Sequence, residues 1–228
     1  MEAIVLAGGF GTRLRALVSD TPKPMAPVAG KPFLEILLQA LAQKGFKRVV
    51  LSLGFLAHKV TAHFEARFAG MDLHYVIEDQ PLGTGGAVRL ALESCLHDHI
   101  FVFNGDTFLD LEVNAIEAAW QANRHPIIVC RQVPDTARYG SLLTDAGRVI
   151  GFLEKGAGGP GLINAGCYVF ARDQLDSFKF NQNFSLETDY LADAVTKTPF
   201  NIFVTEGLFI DIGVPEDYLR SQTLFTFS

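Results

Sequence analysis

Apolar residues along the first half of the chain occur in two alternating patterns. Short continuous runs are typical of buried strands, and apolar residues spaced three or four positions apart are typical of amphipathic helices. The predicted strands cover residues 2–7, 48–53, 73–77, 100–103 and about 126–132. The predicted helices cover residues 32–45, about 56–68, 85–96 and about 112–123. This alternation predicts βαβ units and a mainly parallel sheet.

The pattern changes after residue 139, where shorter elements follow one another. Further strands are predicted near residues 140–144, 148–153, 163–170, 201–205 and 208–211. A helix is predicted from Ser185, which is a favourable N-cap residue, to about Lys197, and another begins near residue 215. No linker composition divides the chain, so we expect one domain over residues 1–228. The expected fold class is α/β, a Rossmann-like three-layer αβα sandwich whose central sheet is mixed and mainly parallel.

Composition and charge exclude several classes of function. The net charge of −6 argues against a nucleic-acid-binding protein, which usually carries a basic face. No apolar stretch approaches the roughly 20 residues that a membrane span requires. The three cysteines are odd in number and widely spaced, which indicates thiols in a reducing compartment rather than disulfides. We therefore expect a cytoplasmic protein that binds neither nucleic acid nor membrane.

The first strand leads into a segment with the composition of an anion-binding loop. The chain reads Gly8-Gly9-Phe10-Gly11-Thr12-Arg13-Leu14 and then Thr21-Pro22-Lys23-Pro24-Met25. Glycines let backbone N–H groups approach an anion closely, and Arg13 and Lys23 supply positive charge. A Walker motif is absent. The dinucleotide-binding pattern fails as well, because Leu14 stands where it needs glycine or alanine and no acidic residue follows the second strand.

Two aspartates lie in apolar surroundings at the ends of distant strands. Asp106 follows the apolar run of residues 100–103, and Asp211 lies within Phe209–Ile212. A lone carboxylate among apolar neighbours is costly to bury unless it is paired or bound to a metal. Mg²⁺ typically takes one or two carboxylates together with substrate phosphates, so both residues are candidate ligands. The structural alternatives are a turn at Asp106 and a cap at Asp211.

Taken together, these motifs resemble the signature of the sugar-1-phosphate nucleotidyltransferases. The resemblance extends over nearly the whole chain, in the family's order, through Gly8–Leu14, Pro22-Lys23-Pro24, Pro81–Gly86, Asn104-Gly105-Asp106, Glu154-Lys155, Asn164-Ala165-Gly166 and Ile210–Gly213. It implies that residues 1–110 form a nucleotide-binding part and residues 111–228 a sugar-binding part. It also implies attack by a sugar 1-phosphate on a nucleoside triphosphate, with Mg²⁺ as cofactor and a nucleotide sugar for surface polysaccharides as product.

The resemblance also implies a role for each candidate residue. Arg13, Lys23 and Asp106 would be the catalytic residues, and Asp106 and Asp211 would bind the metal. The nucleotide would contact Leu6, Gly8, Gly9, Gly11, Thr12, Arg13, Lys23, Glu78, Gly83 and Thr84. The sugar phosphate would contact Gly105, Tyr139, Glu154, Lys155, Asn164 and Glu187. Arg13 would hold the leaving β- and γ-phosphates, and Lys23 would neutralise charge at the α-phosphate.

Glu78 is the residue that indicates which nucleotide base the protein binds. Relatives that use thymidine or uridine nucleotides carry glutamine at the position that aligns with Glu78. Guanine presents two adjacent donors, and a carboxylate accepts both, so GTP is the expected nucleotide. The alternative is an exposed loop glutamate with no ligand.

The sequence leaves alternatives open for the sugar substrate, the type of reaction and the oligomeric state. The sugar would be a heptose or mannose 1-phosphate with GTP, or N-acetylmuramate 1-phosphate with UTP. A metal-dependent glycosyltransferase is a rival, although Asp106 and Asp110 are four positions apart and do not form an Asp-x-Asp motif. A catalytically silent nucleotide-sugar sensor is another. The apolar residues 224–227 and the phenylalanine-rich helices are compatible with a homodimer.

Overall fold

The computed structural model describes residues 1–9, 18, 21–153 and 158–225. The strands are β1 (Glu2–Leu6), β2 (Pro27–Val28), β3 (Lys31–Pro32), β4 (Arg48–Leu53), β5 (Arg67–Phe68), β6 (Met71–Ile77), β7 (His99–Asn104), β8 (Thr107–Leu109), β9 (Ile127–Val133), β10 (Ser141–Asp145), β11 (Arg148–Leu153), β12 (Gly161–Ala171), β13 (Phe200–Thr205) and β14 (Phe209–Asp211). The α-helices are α1 (Phe33–Gln43), α2 (Ala57–Phe64), α3 (Gly83–Leu92), α4 (Val113–Asn123), α5 (Ala192–Lys197) and α6 (Pro215–Leu224). A short 3₁₀ helix covers Lys23–Met25, and a π-helix covers Leu186–Leu191.

Ten of these strands form one central sheet in the order β10-β11-β13-β9-β12-β7-β1-β4-β6-β5. Strands β6, β4, β1 and β7 are neighbours and run parallel. Strand β12 joins them antiparallel to β7, and the remaining strands add both parallel and antiparallel pairs. The expected mixed sheet is confirmed. In its parallel part, Leu6 lies level with Ser52 and Asn104, so three strands reach their carboxyl ends together.

Helices cover both faces of the sheet, which makes the expected three layers. Alternate residues of β1 point to opposite faces, so Ala3 and Val5 belong to one core and Ile4 to the other. Helices α1, α2 and α4 pack on the first face. Helix α3, the π-helix and α5 pack on the second.

The predicted helix over residues 56–68 is shorter in the structure. Helix α2 ends at Phe64, because Glu65 takes a positive φ of 52° and reverses the chain. Arg67–Phe68 then pair with β6 as the edge strand β5. This correction moves no candidate site residue.

Ser185 caps its helix as predicted. Its side chain accepts a hydrogen bond from the Thr188 N–H at 3.2 Å. The first turns are a π-helix, and the α-helical geometry begins only at Ala192. The three cysteines, Cys95, Cys130 and Cys167, are buried and form no disulfide. Among the helices that the structure describes, none has the length and apolar character needed to cross a lipid bilayer.

Candidate active site

A cavity of about 550 Å³ opens at the carboxyl ends of the parallel strands. This edge is where open α/β sheets bind their ligands. The cavity is lined by Leu6, Gly8, Gly9, Lys23, Pro24, Ser52, Gly54, Phe55, Glu78, Asp79, Gln80, Pro81, Gly83, Thr84, Ala87, Asn104 and Asp106. All of them lie in the part of the chain that the resemblance assigns to the nucleotide. The structure therefore brings together the predicted nucleotide contacts that it describes.

The loop after β1 forms one wall of this cavity. A Cβ atom on Gly8 would lie 3.0 Å from Glu78 Oε1 and 3.1 Å from the Gly54 nitrogen, so Gly8 lets the two segments approach. A Cβ atom on Gly9 would meet no atom of the described residues within 4 Å. Within that part of the chain, Gly9 therefore borders open space rather than protein.

Lys23 lies between two carboxylates. The 3₁₀ helix that follows Pro22 positions Lys23, whose ammonium group forms an ion pair with Asp106. Asp211 Oδ1 accepts a hydrogen bond from the Gly213 N–H at 2.6 Å. A Cβ atom on Gly213 would lie 2.6 Å from Lys23 Nζ and 2.7 Å from Asp211 Oδ1. The Lys23 ammonium group and the Asp211 carboxylate therefore both lie beside Gly213.

A two-stranded ribbon brings the two aspartates together across a long stretch of sequence. Strand β14 pairs antiparallel with β8 and sets Asp211 opposite Thr107, and the Ile212 N–H donates to the Asp106 carbonyl. Burial raises the pKa of Asp211 above its usual value, and the charge of Asp106 adds to this rise. Lys23 opposes it. The carboxylates are close enough to repel, and Lys23 compensates part of that repulsion.

This donor set suits a hard cation that takes its remaining ligands from phosphate and water. Asp106 lines the cavity, and Asp211 lies near it beside the Lys23 ammonium group. One or two carboxylates together with substrate phosphates are the ligands that Mg²⁺ typically takes. Over residues 1–9, 18, 21–153 and 158–225 there is no group of three or more histidine, cysteine, aspartate or glutamate side chains that could hold a metal alone.

Glu78 follows β6 and is held in a fixed orientation. Its Oε2 accepts a hydrogen bond from the Leu82 N–H at 2.9 Å, and its Oε1 lies 3.5 Å from the Ser52 hydroxyl. The residue is half-buried, and desolvation raises the pKa of its carboxyl group, although both hydrogen bonds oppose that rise. Glu78 is therefore an oriented carboxylate on the cavity wall and not a freely solvated loop residue.

Gly83 and Thr84 begin α3 and also line the cavity. Gly83 has a φ of +70°, and a Cβ atom there would lie 2.5 Å from the Phe184 carbonyl oxygen. The resemblance implies that Gly83 contacts the nucleotide, and the residue does line the cavity. The structure adds another reason for the glycine, because the backbone of the segment before the π-helix fills the space that a side chain would need.

The predicted sugar contacts that the structure describes lie outside the lining of this cavity. The Gly105 N–H donates to the Leu6 carbonyl, and a Cβ atom on Gly105 would lie 2.5 Å from that oxygen, so this glycine lets the turn after β7 approach the end of β1 closely. Tyr139 is half-buried, and its ring packs edge-on against Phe209 with centroids 6.1 Å apart. Tyr139 thus lies beside the strand that carries Asp211.

Asn164 and Glu187 are joined through Tyr168, a residue that the sequence analysis did not single out. The Asn164 amide donates to the Tyr168 hydroxyl at 2.6 Å, and that hydroxyl donates to Glu187 Oε1 at 3.2 Å. Tyr168 interrupts the otherwise apolar run Cys167–Phe170 with one hydroxyl, which is the only signal for it in the sequence.

Two other residues on the cavity wall, Ser52 and Asn104, received no role from the sequence, although Asn104 belongs to one of the family motifs. Ser52 and Asn104 stand at the carboxyl ends of β4 and β7, beside Leu6. Their position at the ends of parallel strands is the signal that would have identified them. The candidates Gly11, Thr12, Arg13, Glu154 and Lys155 lie outside the described residues.

Comparison with known proteins gives consistent matches over nearly the full chain. Residues 2–226 match the family model described as "Nucleotidyl transferase". The chain is 36% identical to a D-glycero-α-D-manno-heptose 1-phosphate guanylyltransferase from Aneurinibacillus thermoaerophilus, over 97% of each chain. It is 38% identical to the protein of the same name from Campylobacter jejuni, over 96% of this chain and 97% of that one.

A solved structure gives the same picture. The fold matches that of HddC from Yersinia pseudotuberculosis, crystallised in complex with GMP-PN, with a TM-score of 0.89 and 35% identity. The match covers 98% of this chain and 99% of that chain.

Proposed function

This chain belongs to the nucleotidyl transferase family, and we propose that it transfers GMP from GTP to D-glycero-α-D-manno-heptose 1-phosphate, releasing pyrophosphate and forming a GDP-heptose. One observation carries the proposal. A single cavity is lined by the glycines after β1, by the Lys23–Asp106 ion pair and by the oriented carboxylate of Glu78. These are the groups needed for a triphosphate and for guanine. The names of the similar proteins support the choice of GTP and of the heptose.

The reaction depends on positioning and charge, since the protein need not supply a nucleophile. An oxygen of the sugar 1-phosphate forms a bond to the α-phosphorus of GTP, and the bond from that phosphorus to the bridging oxygen of pyrophosphate breaks. Lys23 neutralises the negative charge that gathers around the α-phosphate. Arg13 is proposed, from the sequence alone, to hold the departing β- and γ-phosphates.

Asp106 and Asp211 are proposed to hold Mg²⁺. Bound there, the cation would neutralise negative charge on the triphosphate. What supports this assignment is that the pairing of β14 with β8 brings Asp211 next to Asp106, with the Lys23 ammonium group as the neighbouring cation.

Glu78 is proposed to select guanine. Guanine carries a ring N–H next to an amino group, and a carboxylate can accept from both. Because Leu82 occupies one lone pair of Oε2 and the Ser52 hydroxyl lies beside Oε1, the carboxylate is already oriented before the base arrives. Adenine has no such adjacent pair of donors.

The sugar phosphate is proposed to bind beside Tyr139, Asn164 and Glu187. Glu154 and Lys155 complete this set from the sequence alone. What supports the set is that Asn164 and Glu187, which are 23 positions apart, belong to one hydrogen-bonded group that reaches the cavity wall at Thr84.

The test is pyrophosphate release over a grid of four nucleoside triphosphates and several sugar 1-phosphates. The sugars are D-glycero-α-D-manno-heptose, mannose, N-acetylmuramate and glucose 1-phosphates. We expect the highest kcat/KM with GTP and the heptose. A higher kcat/KM with mannose 1-phosphate would move the assignment to a mannose 1-phosphate guanylyltransferase, and preference for UTP with every sugar would overturn the guanine assignment. If no pair releases pyrophosphate, the chain is not a nucleotidyltransferase, and transfer from GDP-sugars would then point to a glycosyltransferase.

A further inference from the structure

A bulge directly follows Asn164 in β12. The pairing of β12 with β9 shifts register between Asn164 and Cys167, and Gly166 takes a φ of +73°. Bulges of this kind redirect a side chain at a functional site. Asn164 Oδ1 accepts the Gly166 N–H at 3.0 Å, so one end of this amide is already committed to the bulge.

The Tyr168 hydroxyl accepts a hydrogen bond from the NH₂ end of the Asn164 amide. Asn164 Nδ2 donates to it at 2.6 Å, and the hydroxyl proton is directed to Glu187 Oε1 at 3.2 Å. Tyr168 is 0% exposed, so no solvent competes for these bonds. A carboxylate can only accept, which forces the hydroxyl to donate to Glu187 and the amide to donate to the hydroxyl.

The second oxygen of Glu187 connects this chain of bonds to the cavity. Glu187 Oε2 accepts from the Thr84 hydroxyl at 3.0 Å and lies 3.3 Å from the Ser185 hydroxyl. The Thr84 hydroxyl in turn accepts the Leu186 N–H at 2.9 Å. Because Thr84 lines the nucleotide cavity, a continuous set of hydrogen bonds runs from the β12 bulge to the cavity wall.

We propose that Tyr168 is a positioning residue, whose hydroxyl fixes the separation and the hydrogen-bond direction of Asn164 and Glu187 for binding of the sugar 1-phosphate. The inference rests on the proposed function, which makes these two residues sugar contacts. Tyr168 itself does not reach the substrate, since it is wholly buried. Burial raises the pKa of its phenol well above the usual value, and the charge of Glu187 adds to the rise, so the hydroxyl keeps its proton.

The experiment is the Tyr168→Phe variant, which removes the hydroxyl and keeps the ring that stacks on Phe170. We expect the KM for the sugar 1-phosphate to rise about tenfold, as loss of a hydrogen bond to a charged group implies. The KM for GTP should stay within about twofold and kcat within about threefold, because Lys23, Asp106 and Glu78 are untouched. Selectivity between the preferred sugar and its competitors should also narrow.

Tyr190→Phe is the matched control. Its hydroxyl accepts from Gln174 Nε2 at 2.6 Å, and its ring packs on Phe170, but it takes no part in the set that joins Asn164 to Glu187. Tyr190→Phe should leave both KM values unchanged. A fall in Tm for Tyr168→Phe with an unchanged sugar KM would show a structural role only and would overturn the proposal.

Ser185→Ala provides a second test, which can be carried out even if the Tyr168→Phe variant does not fold. It removes another hydrogen bond to the Glu187 carboxylate, and we expect a smaller rise in the same KM. If the sugar KM does not move in this variant, the orientation of Glu187 is not what matters and the proposal fails. The wild-type rate with GTP and sugar 1-phosphate tests the proposed function separately, while the ratio of variant to wild type tests this inference.

Discussion

Two glycine-rich segments border the same cavity, and single glycines in them serve different purposes. In the segment after β1, a Cβ atom on Gly9 would meet no described residue within 4 Å, whereas Gly8 beside it packs closely against protein. In the segment that begins α3, a Cβ atom on Gly83 would lie 2.5 Å from the Phe184 carbonyl oxygen, and one on Gly85 would overlap the Phe184 ring. Among the residues that the structure describes, Gly9 leaves room for a ligand. Gly83 and Gly85 leave room for another part of the protein.

The difference teaches that a run of glycines beside a pocket does not by itself indicate ligand contact. At α3 the small residues let the segment before the π-helix pack against the first helical turn, and that packing places Thr84 within hydrogen-bond distance of Glu187. After β1 the open space is accompanied by the positive charge that a phosphate requires, because Lys23 lines the same cavity. The predictions below test the two roles separately.

Lys23→Ala tests the ligand role and should have the largest effect. Loss of the ammonium group should lower kcat for pyrophosphate release by about 10³-fold, the scale seen when one group that stabilises transition-state charge is removed. Lys31→Ala, on the same N-terminal segment but outside the cavity lining, is the control and should retain its rate. A near-normal rate for Lys23→Ala in folded protein would refute the catalytic assignment.

Gly85→Ala tests the packing role. Its new methyl group would overlap the Phe184 ring, and such overpacking typically destabilises a protein by about 1–3 kcal/mol. For a chain of this size, each kcal/mol lowers Tm by about 2–4 °C. Thermal unfolding measures the change. An unchanged Tm would mean that the segment carrying Phe184 can move away at little cost, and the two glycine segments would then not differ as claimed.

The dependence of GTP binding on pH tests whether Glu78 binds as a carboxylate. Desolvation raises the pKa of Glu78, so on acidification its negative charge is lost at a higher pH than for an ordinary glutamate. GTP affinity should therefore be full above this raised pKa and fall as the pH drops through it. Calorimetric titration of wild type and Glu78→Gln at each pH isolates this effect, since the triphosphate titrates equally with both. If the wild type shows no additional loss on acidification, the carboxylate does not contact the base.

Gly9→Ala should have the smallest effect on the protein itself. No atom of residues 1–9, 18, 21–153 or 158–225 lies within 4 Å of the new methyl group, so the free energy of unfolding should change by no more than about 0.5 kcal/mol. If a triphosphate approaches this backbone, the KM for GTP should nevertheless rise severalfold. Chemical denaturation and steady-state kinetics give the two values. A large loss of stability would show that Gly9 is needed for packing, like Gly85.

Much of the fold could be predicted because parallel strands are buried on both faces and appear as continuous apolar runs. The predicted strand at residues 48–53 matches β4 at both ends. The early end of α2 was missed, because it depends on the positive φ of Glu65, a residue type with no preference for that conformation. The bulge after Asn164 could not be predicted either, because it depends on how β12 pairs with β9, and the apolar pattern of β12 does not reveal that pairing.

The candidate site could be predicted less completely. Asp106 and Asp211 were recognised individually as unusual, but their meeting depends on the pairing of β8 with β14 across about 100 residues. Tyr168 was missed because an aromatic residue in an apolar strand is ordinarily part of the core. The packing of Phe184 against Gly83 could not be predicted either, since the two residues are about 100 positions apart in the sequence.

The central claim is that this cavity binds GTP and that the Glu78 carboxylate recognises guanine by hydrogen bonding. The measurement that tests it most directly is the ratio of kcat/KM for GTP to that for UTP, with the same sugar 1-phosphate, in wild type and in Glu78→Gln. Glutamine replaces one of the two acceptors by a donor, so we expect the variant to lose about 10- to 100-fold in the GTP-to-UTP ratio, the value of a hydrogen bond to a charged group. An unchanged ratio, in a variant that retains its Tm, would contradict the account.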